Sequence, residues 1–359
     1  MNSPISTALP SVAASPHAKE FSSVSTVMLK VMLALAPATL CGFWYFGWPA
    51  ISLWLLTVAS ALAGEAACLV LMKKLVRPAL LDGSALLTGW LLAMSLPPWA
   101  PWWIGVVGGL FATVVGKQAF GGLGCNLFNP AMVARVALLV SFPVVMTAWV
   151  GPSGQSASPG LVESLSITFG GSIPDAYTSA TLLGQAKTEL SRGVTLLQTF
   201  AQGLPVSFSG QRPGSMGETG IVLLAAGGLA LLAMRIISWH IPLAMLLGIA
   251  IPALIGHAVN PARYLDAGAH LLSGAAVLGA FFIATDYVTS PSSRAGQLVF
   301  GAGCGFLTWV IRSYGGYPEG VAFAVLLMNA LAPAIDRLCQ PRIYGRDWRG
   351  NPIKLNKEK

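Results

Sequence analysis

The chain has 359 residues, 55% of them apolar and only 9% charged, with a mean hydropathy of +0.69. A soluble domain carries about 25% charged residues, so this composition excludes an ordinary cytosolic enzyme, a disordered chain, collagen and a disulfide-rich secreted scaffold. In so apolar a chain, the net charge of +8 reads as Lys and Arg held on the cytoplasmic side of a membrane rather than as a nucleic-acid surface.

Residues 1–26 are rich in Ser, Ala and Pro, with Lys19 and Glu20 as their only charges. They hold no apolar core followed by a small-residue cleavage site, so they read as a cytoplasmic lead-in and not as a signal peptide. Ten apolar runs follow, at 27–47, 48–72, 80–96, 101–117, 128–150, 216–237, 239–258, 268–285, 296–312 and 319–336. Each approaches the ~20 residues a membrane helix needs. The expected architecture is therefore an all-α polytopic membrane protein with about ten spans. Several runs are interrupted by Gly and Pro, which a membrane tolerates only where protein or a cavity satisfies the backbone.

Lys73, Lys74 and Arg77 lie between the second and third runs. Seven basic residues, from Arg337 to Lys359, follow the tenth. With an even number of spans these segments share one side, which the positive-inside rule makes cytoplasmic. The long connection at 151–215 then lies on the other side, in the periplasm of a Gram-negative cell, and loops of that length are usually functional. The expected organisation is a lead-in at 1–26, a first membrane repeat at 27–150, a periplasmic loop at 151–215, a second repeat at 216–336 and a basic cytoplasmic tail at 337–359.

The halves resemble each other. Leu80-Leu81-Asp82-Gly83-Ser84-Ala85 recurs as Leu271-Leu272-Ser273-Gly274-Ala275-Ala276, and Gly121-Gly122 recurs as Gly315-Gly316. Five spans in each half would invert the second copy, the plan of many transporters whose sites lie near the midplane.

Ionisable residues in or beside spans are functional candidates. Glu65 lies within the second run and reads as part of an ion path, as one member of a buried pair or as a residue at the lipid interface. Lys117, Arg135 and Arg312 read as side chains reaching for headgroups. His240, His257 and His270 show no metal-ligand spacing. The cluster Pro97-Pro98-Trp99-Ala100-Pro101-Trp102-Trp103 reads as an aromatic belt. The five cysteines contain no CxxC pair, so no metal site or disulfide framework is expected.

The 151–215 connection contains Asp175-Ala176-Tyr177-Thr178-Ser179-Ala180-Thr181. On composition alone this is a polar loop leading into a helix. A Thr hydroxyl is a poor nucleophile without an adjacent base, so Thr181 reads as the acceptor of a group attached by another enzyme. The segment resembles the D-x-x-[ST]-x-A-T flavinylation motif at Asp175, Thr178, Ala180 and Thr181. Gly121-Gly122-Leu123-Gly124-Cys125-Asn126-Leu127-Phe128-Asn129-Pro130-Ala131 resembles a second stretch of proteins that carry this motif. Further matches are Ala284-Thr285-Asp286, the run Arg312 to Ala324 and the tail Pro341-Arg342-Ile343-Tyr344-Gly345. Tyr287 stands where a proline is usual, and Cys125 occupies a variable position.

Together these segments resemble, over about 27–345, the RnfD/NqrB family. Its members are the RnfD component of the Rnf electron-transport complex and the related NqrB component of the sodium-pumping NADH:quinone reductase. The resemblance implies two inverted five-helix repeats, similar to urea transporters, in the bacterial inner membrane. It implies FMN bound covalently to Thr181 as a phosphothreonyl ester, with Asp175, Thr178 and Ala180 recognised by a flavin transferase. It also implies a non-covalent riboflavin near Asn126, Asn129 and Asp286. Asn supplies donors and acceptors and Asp accepts, as the edge of a flavin requires. If helical, a spacing of three would place Asn126 and Asn129 on one face; the alternative is that Asn129-Pro130 ends a broken helix and Asp286 caps one.

The implied activity is that of one component of a multisubunit membrane oxidoreductase (a translocase) with no stand-alone catalysis. It would couple oxidoreduction between NADH and ferredoxin or flavodoxin to Na⁺ or H⁺ movement, beside RnfA, RnfB, RnfC, RnfE and RnfG and membrane lipid. No G-x-G-x-x-G follows a strand and opens a helix, so NADH binding falls to a partner. The competing expectations are a small-solute or ion channel with no redox role, which leaves the flavinylation motif unexplained, and the related NqrB component of the sodium-pumping NADH:quinone reductase.

Overall fold

The computed structural model describes residues 23–152, 159–170, 178–200 and 212–340. Among these residues the chain is helical, with one isolated extended pair, Val150 and Thr178. Four stretches are long and apolar enough to cross a membrane: Val24–Leu71, Trp102–Phe120, His240–Val259 and Val321–Leu338. This is the build of a polytopic membrane protein. The lead-in up to residue 22 and the tail from 341 lie outside the described residues.

The first two apolar runs form one bent element, α1 (Val24–Leu71), with no loop between them. Gly47 takes φ 69° and ψ −155°, a conformation open mainly to glycine. Pro49, two residues on, brings no N–H to the helix ladder. The indole of Trp99 donates to the Phe46 carbonyl at the bend, at 2.8 Å. Trp99 is only 1% exposed, which corrects its reading as part of a surface belt. It is a strut that satisfies the carbonyl at the break.

The first half continues with α2 (Ser84–Ser95), α3 (Trp102–Val114) and α4 (Pro130–Ser141). The fifth apolar run therefore yields only a short helix before Phe142 breaks it. The connection then carries α5 (Leu161–Gly170) and α6 (Leu182–Ser191). The second half holds α7 (Ile221–Ala233), α8 (His240–Val259), α9 (Ala267–Leu272), α10 (Arg294–Tyr314) and α11 (Val321–Leu338).

In each half, helices are pressed together through glycines. A methyl group on Gly109 of α3 would lie 2.6 Å from the Thr57 carbonyl on the second arm of α1. One on Gly305 of α10 would overlap the Met245 carbonyl on α8. Lipid offers no hydrophobic drive for helix association, so small residues that admit close backbones carry it.

The run at 268–285 is broken. After α9 the chain turns at Gly274 (φ 66°) and passes through a π-helical turn over Gly279–Ile283. The matching position in the first half, Gly83, is also left-handed (φ 79°) and stands immediately before α2. The two halves share one apolar core. They are tied across it by a buried ion pair between Arg135 of α4 and Glu319, just before α11. A second, smaller core (Leu182, Leu183, Ala186, Leu196, Leu265 and Ala269) fastens the connection to the second half.

Candidate functional site

Thr181 is the N-cap of α6. Its backbone is extended (φ −68°, ψ 155°), and its hydroxyl oxygen accepts from the Gly184 N–H at 3.0 Å. This is the usual role of Thr before a helix, where a side-chain oxygen satisfies a first-turn donor. The residues before it are clasped to the end of the first half. Thr178 pairs with Val150, and Ser179 N–H donates to the Trp149 carbonyl at 2.9 Å. Thr178 and Ala180 are exposed, whereas Thr181 is 6% exposed. Asp175 lies outside the described residues.

Beyond Thr181, α6 leans on the second half. Lys187 Nζ donates to the Tyr317 carbonyl at 2.7 Å and to that of Ile311 at 3.4 Å. Burial of its ammonium lowers its pKa from 10.5 to about 8, because desolvation disfavours the charged form. Past α6, Leu196 N–H donates to the Ala262 carbonyl at 2.9 Å. The segment that begins at Thr178 therefore bridges the two halves.

Asn126, Asn129 and Asp286 line one pocket, whose walls include Val31, Leu91, Phe281 and Tyr287. The spacing argument for the two asparagines is corrected. Residues 121–129 are not an α-helix but a chain of turns, with Gly121, Gly122 and Gly124 all at positive φ. The loop, not a shared helix face, brings the asparagines together.

Each of the three residues also has a local duty. Asn126 donates to the Phe128 carbonyl at 3.1 Å. Asn129 is the N-cap of α4, accepting from Met132 N–H at 3.3 Å and donating to the Ile283 carbonyl at 3.4 Å. Asp286 accepts from Val288 N–H at 3.3 Å and from the Thr289 hydroxyl at 3.2 Å.

Two buried charge clusters flank the breaks. Lys117 Nζ meets Glu65 Oε1 and Ser84 Oγ, each at 2.6 Å. Gln118 donates to the same Glu65 oxygen at 2.9 Å. Lys117 and Ser84 line the pocket as well. In the second half Arg312 donates to the carbonyls of His270 (2.5 Å) and Ser273 (2.9 Å). Glu319 pairs with Arg135 and accepts from Ala275 N–H at 3.2 Å.

Lys117, Arg135 and Arg312 are 2%, 5% and 6% exposed, so the expectation that they reach for headgroups is corrected. Each is spent on a buried carboxylate or on carbonyls freed at a break. Sequence reasoning gave no role to Glu319 or Asn329. Glu319 sits in a Pro-Glu-Gly step between apolar runs, a charge with nowhere to go but inward. Asn329 is fully buried in α11. With its amide oriented to match donors and acceptors, it accepts from Asn129 N–H at 3.0 Å and donates to the Thr289 carbonyl at 3.2 Å.

Comparison with known proteins places the chain among its relatives. It is 51% identical to a Halorhodospira halophila protein described as the D subunit of an ion-translocating oxidoreductase complex, over 96% of this chain and 98% of the relative. It is 56% identical to a protein of the same description from Stutzerimonas stutzeri, over 92% and 95%. A Rhodobacter capsulatus relative, again so described, is 52% identical over 83% and 84%. The profile of the NQR2, RnfD, RnfE family matches residues 11–345, and the chain belongs to that family.

Proposed function

We propose that this chain is the flavin-carrying membrane component of an Rnf-type ion-translocating oxidoreductase complex, with FMN esterified to Thr181. The observation that carries the reading is the place of Thr181 at the start of α6. A phosphate attached there meets the unpaired N–H groups and positive end of a ten-residue helix, a ready-made anion site. Asp175, Thr178 and Ala180 serve recognition by a flavin transferase. The clasp of Thr178 and Ser179 to Val150 and Trp149 holds the anchor at a fixed place beside both halves.

A bound flavin supplies one- and two-electron transfer; the residues here hold it and shape its surroundings. The pocket of Asn126, Asn129 and Asp286 fits a second, non-covalent flavin such as riboflavin. It offers apolar walls for a ring and mixed donors and acceptors for its edge. The left-handed glycines at 83 and 274 and the glycine-packed helices in each half support two inverted five-helix repeats. On this reading the connection is periplasmic, both termini are cytoplasmic, and the membrane is the bacterial inner membrane. The complex couples electron exchange between NADH and ferredoxin or flavodoxin to Na⁺ or H⁺ movement. Glu65, whose second oxygen is buried without a partner among the described residues, lies on the ion path. Partners are the other Rnf proteins.

The test is in-gel flavin fluorescence under denaturing conditions, with full-length wild type and Thr181→Ala each produced beside an active flavin transferase. A fluorescent band in wild type alone is expected. A dark band in both overturns the reading and favours a solute carrier.

A further inference from the structure

Arg235, Trp239, His240, Tyr287, Arg294 and Gln297 line a cleft between the start of α8 and the start of α10. Ser238 Oγ donates to Gln297 Oε1 at 2.6 Å, which holds the two helix starts side by side. The far end of α8 touches the connection, where the Ala262 carbonyl accepts from Leu196 N–H. A helix of 20 residues is about 30 Å long. The cleft therefore lies at the opposite face of the membrane part, the cytoplasmic face in the orientation proposed above.

Its positive charge is uncompensated. No carboxylate is among the described lining residues. Neither Arg235 nor Arg294 has an ion-pair partner among the described residues. Asp336 reaches the rim only by accepting from Ser292 N–H at 3.0 Å. His240 Nδ1 is shielded from solvent and has no partner among the described residues. The positive ends of two long helices, α8 and α10, add to the field, and α8 begins without a side-chain cap. Arg235 closes the end of α7 at φ 55°, its N–H on the Leu232 carbonyl and that of Ile236 on the Leu231 carbonyl, each at 3.0 Å. Glycine closes such a turn with least strain, so what an arginine brings there is its guanidinium.

A soluble anion would use these charges alone, and two further features call for a lipid. Trp239 and Tyr287 are exposed at the rim, and such rings sit at headgroup level in a membrane. From the rim, Leu243, Leu247, Ile251 and Leu254 leave an exposed apolar stripe along one face of α8. We propose that the cleft holds the phosphodiester headgroup of an anionic phospholipid between Arg235 and Arg294, with its acyl chains laid along the stripe of α8. Basic pockets between membrane helices on the cytoplasmic side bind such headgroups. Flavin attachment at Thr181 plays no part in it.

The test uses the full-length chain, delipidated in detergent and also within its purified complex. Native mass spectrometry counts retained phosphatidylglycerol against phosphatidylcholine. Wild type should prefer phosphatidylglycerol. An arginine beside an anionic lipid is worth about fivefold in binding, so Arg235→Gly and Arg294→Gln should each lower phosphatidylglycerol retention about fivefold and leave phosphatidylcholine unchanged. Arg235→Gly should keep or raise the melting temperature in lipid-free detergent, because glycine suits the turn, which separates lost binding from lost folding. Arg77→Gln, at an exposed arginine outside the cleft, should bind as wild type does. Equal retention of the two lipids by wild type, no change in either cleft variant, or the same loss in Arg77→Gln overturns the site. Displacement of the lipid by millimolar inorganic phosphate overturns it in favour of a soluble anion. Loss of the preference within the complex overturns it in favour of a protein partner.

Discussion

The Lys117 ammonium and the Glu65 carboxylate meet at 2.6 Å with both side chains 2% exposed, joining the end of α3 to the second arm of α1. Such a pair is expensive to form, and more expensive to half-remove. Glu65→Gln or Lys117→Met alone should cost about 3–5 kcal/mol, read as lower yield and a lower melting temperature of the purified protein. The double variant Glu65→Gln with Lys117→Met should recover most of that loss. Ion movement should remain impaired in it if Glu65 also serves the path.

At Thr181, capping and tethering separate cleanly. Asn caps helices as well as Thr does but offers no hydroxyl to esterify. Thr181→Asn should keep the amide-exchange protection of α6 and carry no covalent flavin. Thr181→Ala should lose both, with about 1 kcal/mol of local helix stability gone. Covalent flavin on the Asn variant would contradict the assignment.

The glycine contacts predict a contrast within one residue type. A methyl group at Gly305 meets the Met245 carbonyl, which belongs to the backbone and cannot swing away. At Gly316 it meets nothing within 4 Å. Gly305→Ala should therefore cost about 1–3 kcal/mol and Gly316→Ala little, judged by the thermal stability of the two purified proteins.

Lys187 predicts a pH dependence. Its folded pKa of about 8 lies below its ordinary 10.5, so between these values the docked state holds fewer protons than the undocked one. The cost of burying the ammonium is fully present below pH 8 and is relieved as pH rises toward 10.5. Docking of α6 should tighten over that window, seen as slower proteolysis of the 178–200 segment at constant protease activity. Lys187→Met should flatten the profile.

Much of the fold was legible because hydropathy marks what lipid will accept. The helical membrane class, and the presence of Gly- and Pro-interrupted runs, follow from the residues. Trp99 was not legible, because a tryptophan at a membrane surface and one bracing a kink share the same apolar neighbourhood. The three cations misled for a related reason. Whether Lys117, Arg135 and Arg312 turn outward or inward depends on Glu65, on Glu319 and on the carbonyls freed at the breaks, all distant in sequence. At the site, the residue types around Asn126, Asn129 and Asp286 were readable. The loop that gathers them was not, since three glycines at positive φ leave no periodic trace.

The bond between Arg135 and Glu319 bears on how the protein can move. Any tilting of one half against the other would pull a guanidinium from its carboxylate inside the core, and would also break the reach of Asn129 to Ile283. Both contacts would have to break and re-form for the halves to rock like a seesaw, so they set an energetic threshold against that motion.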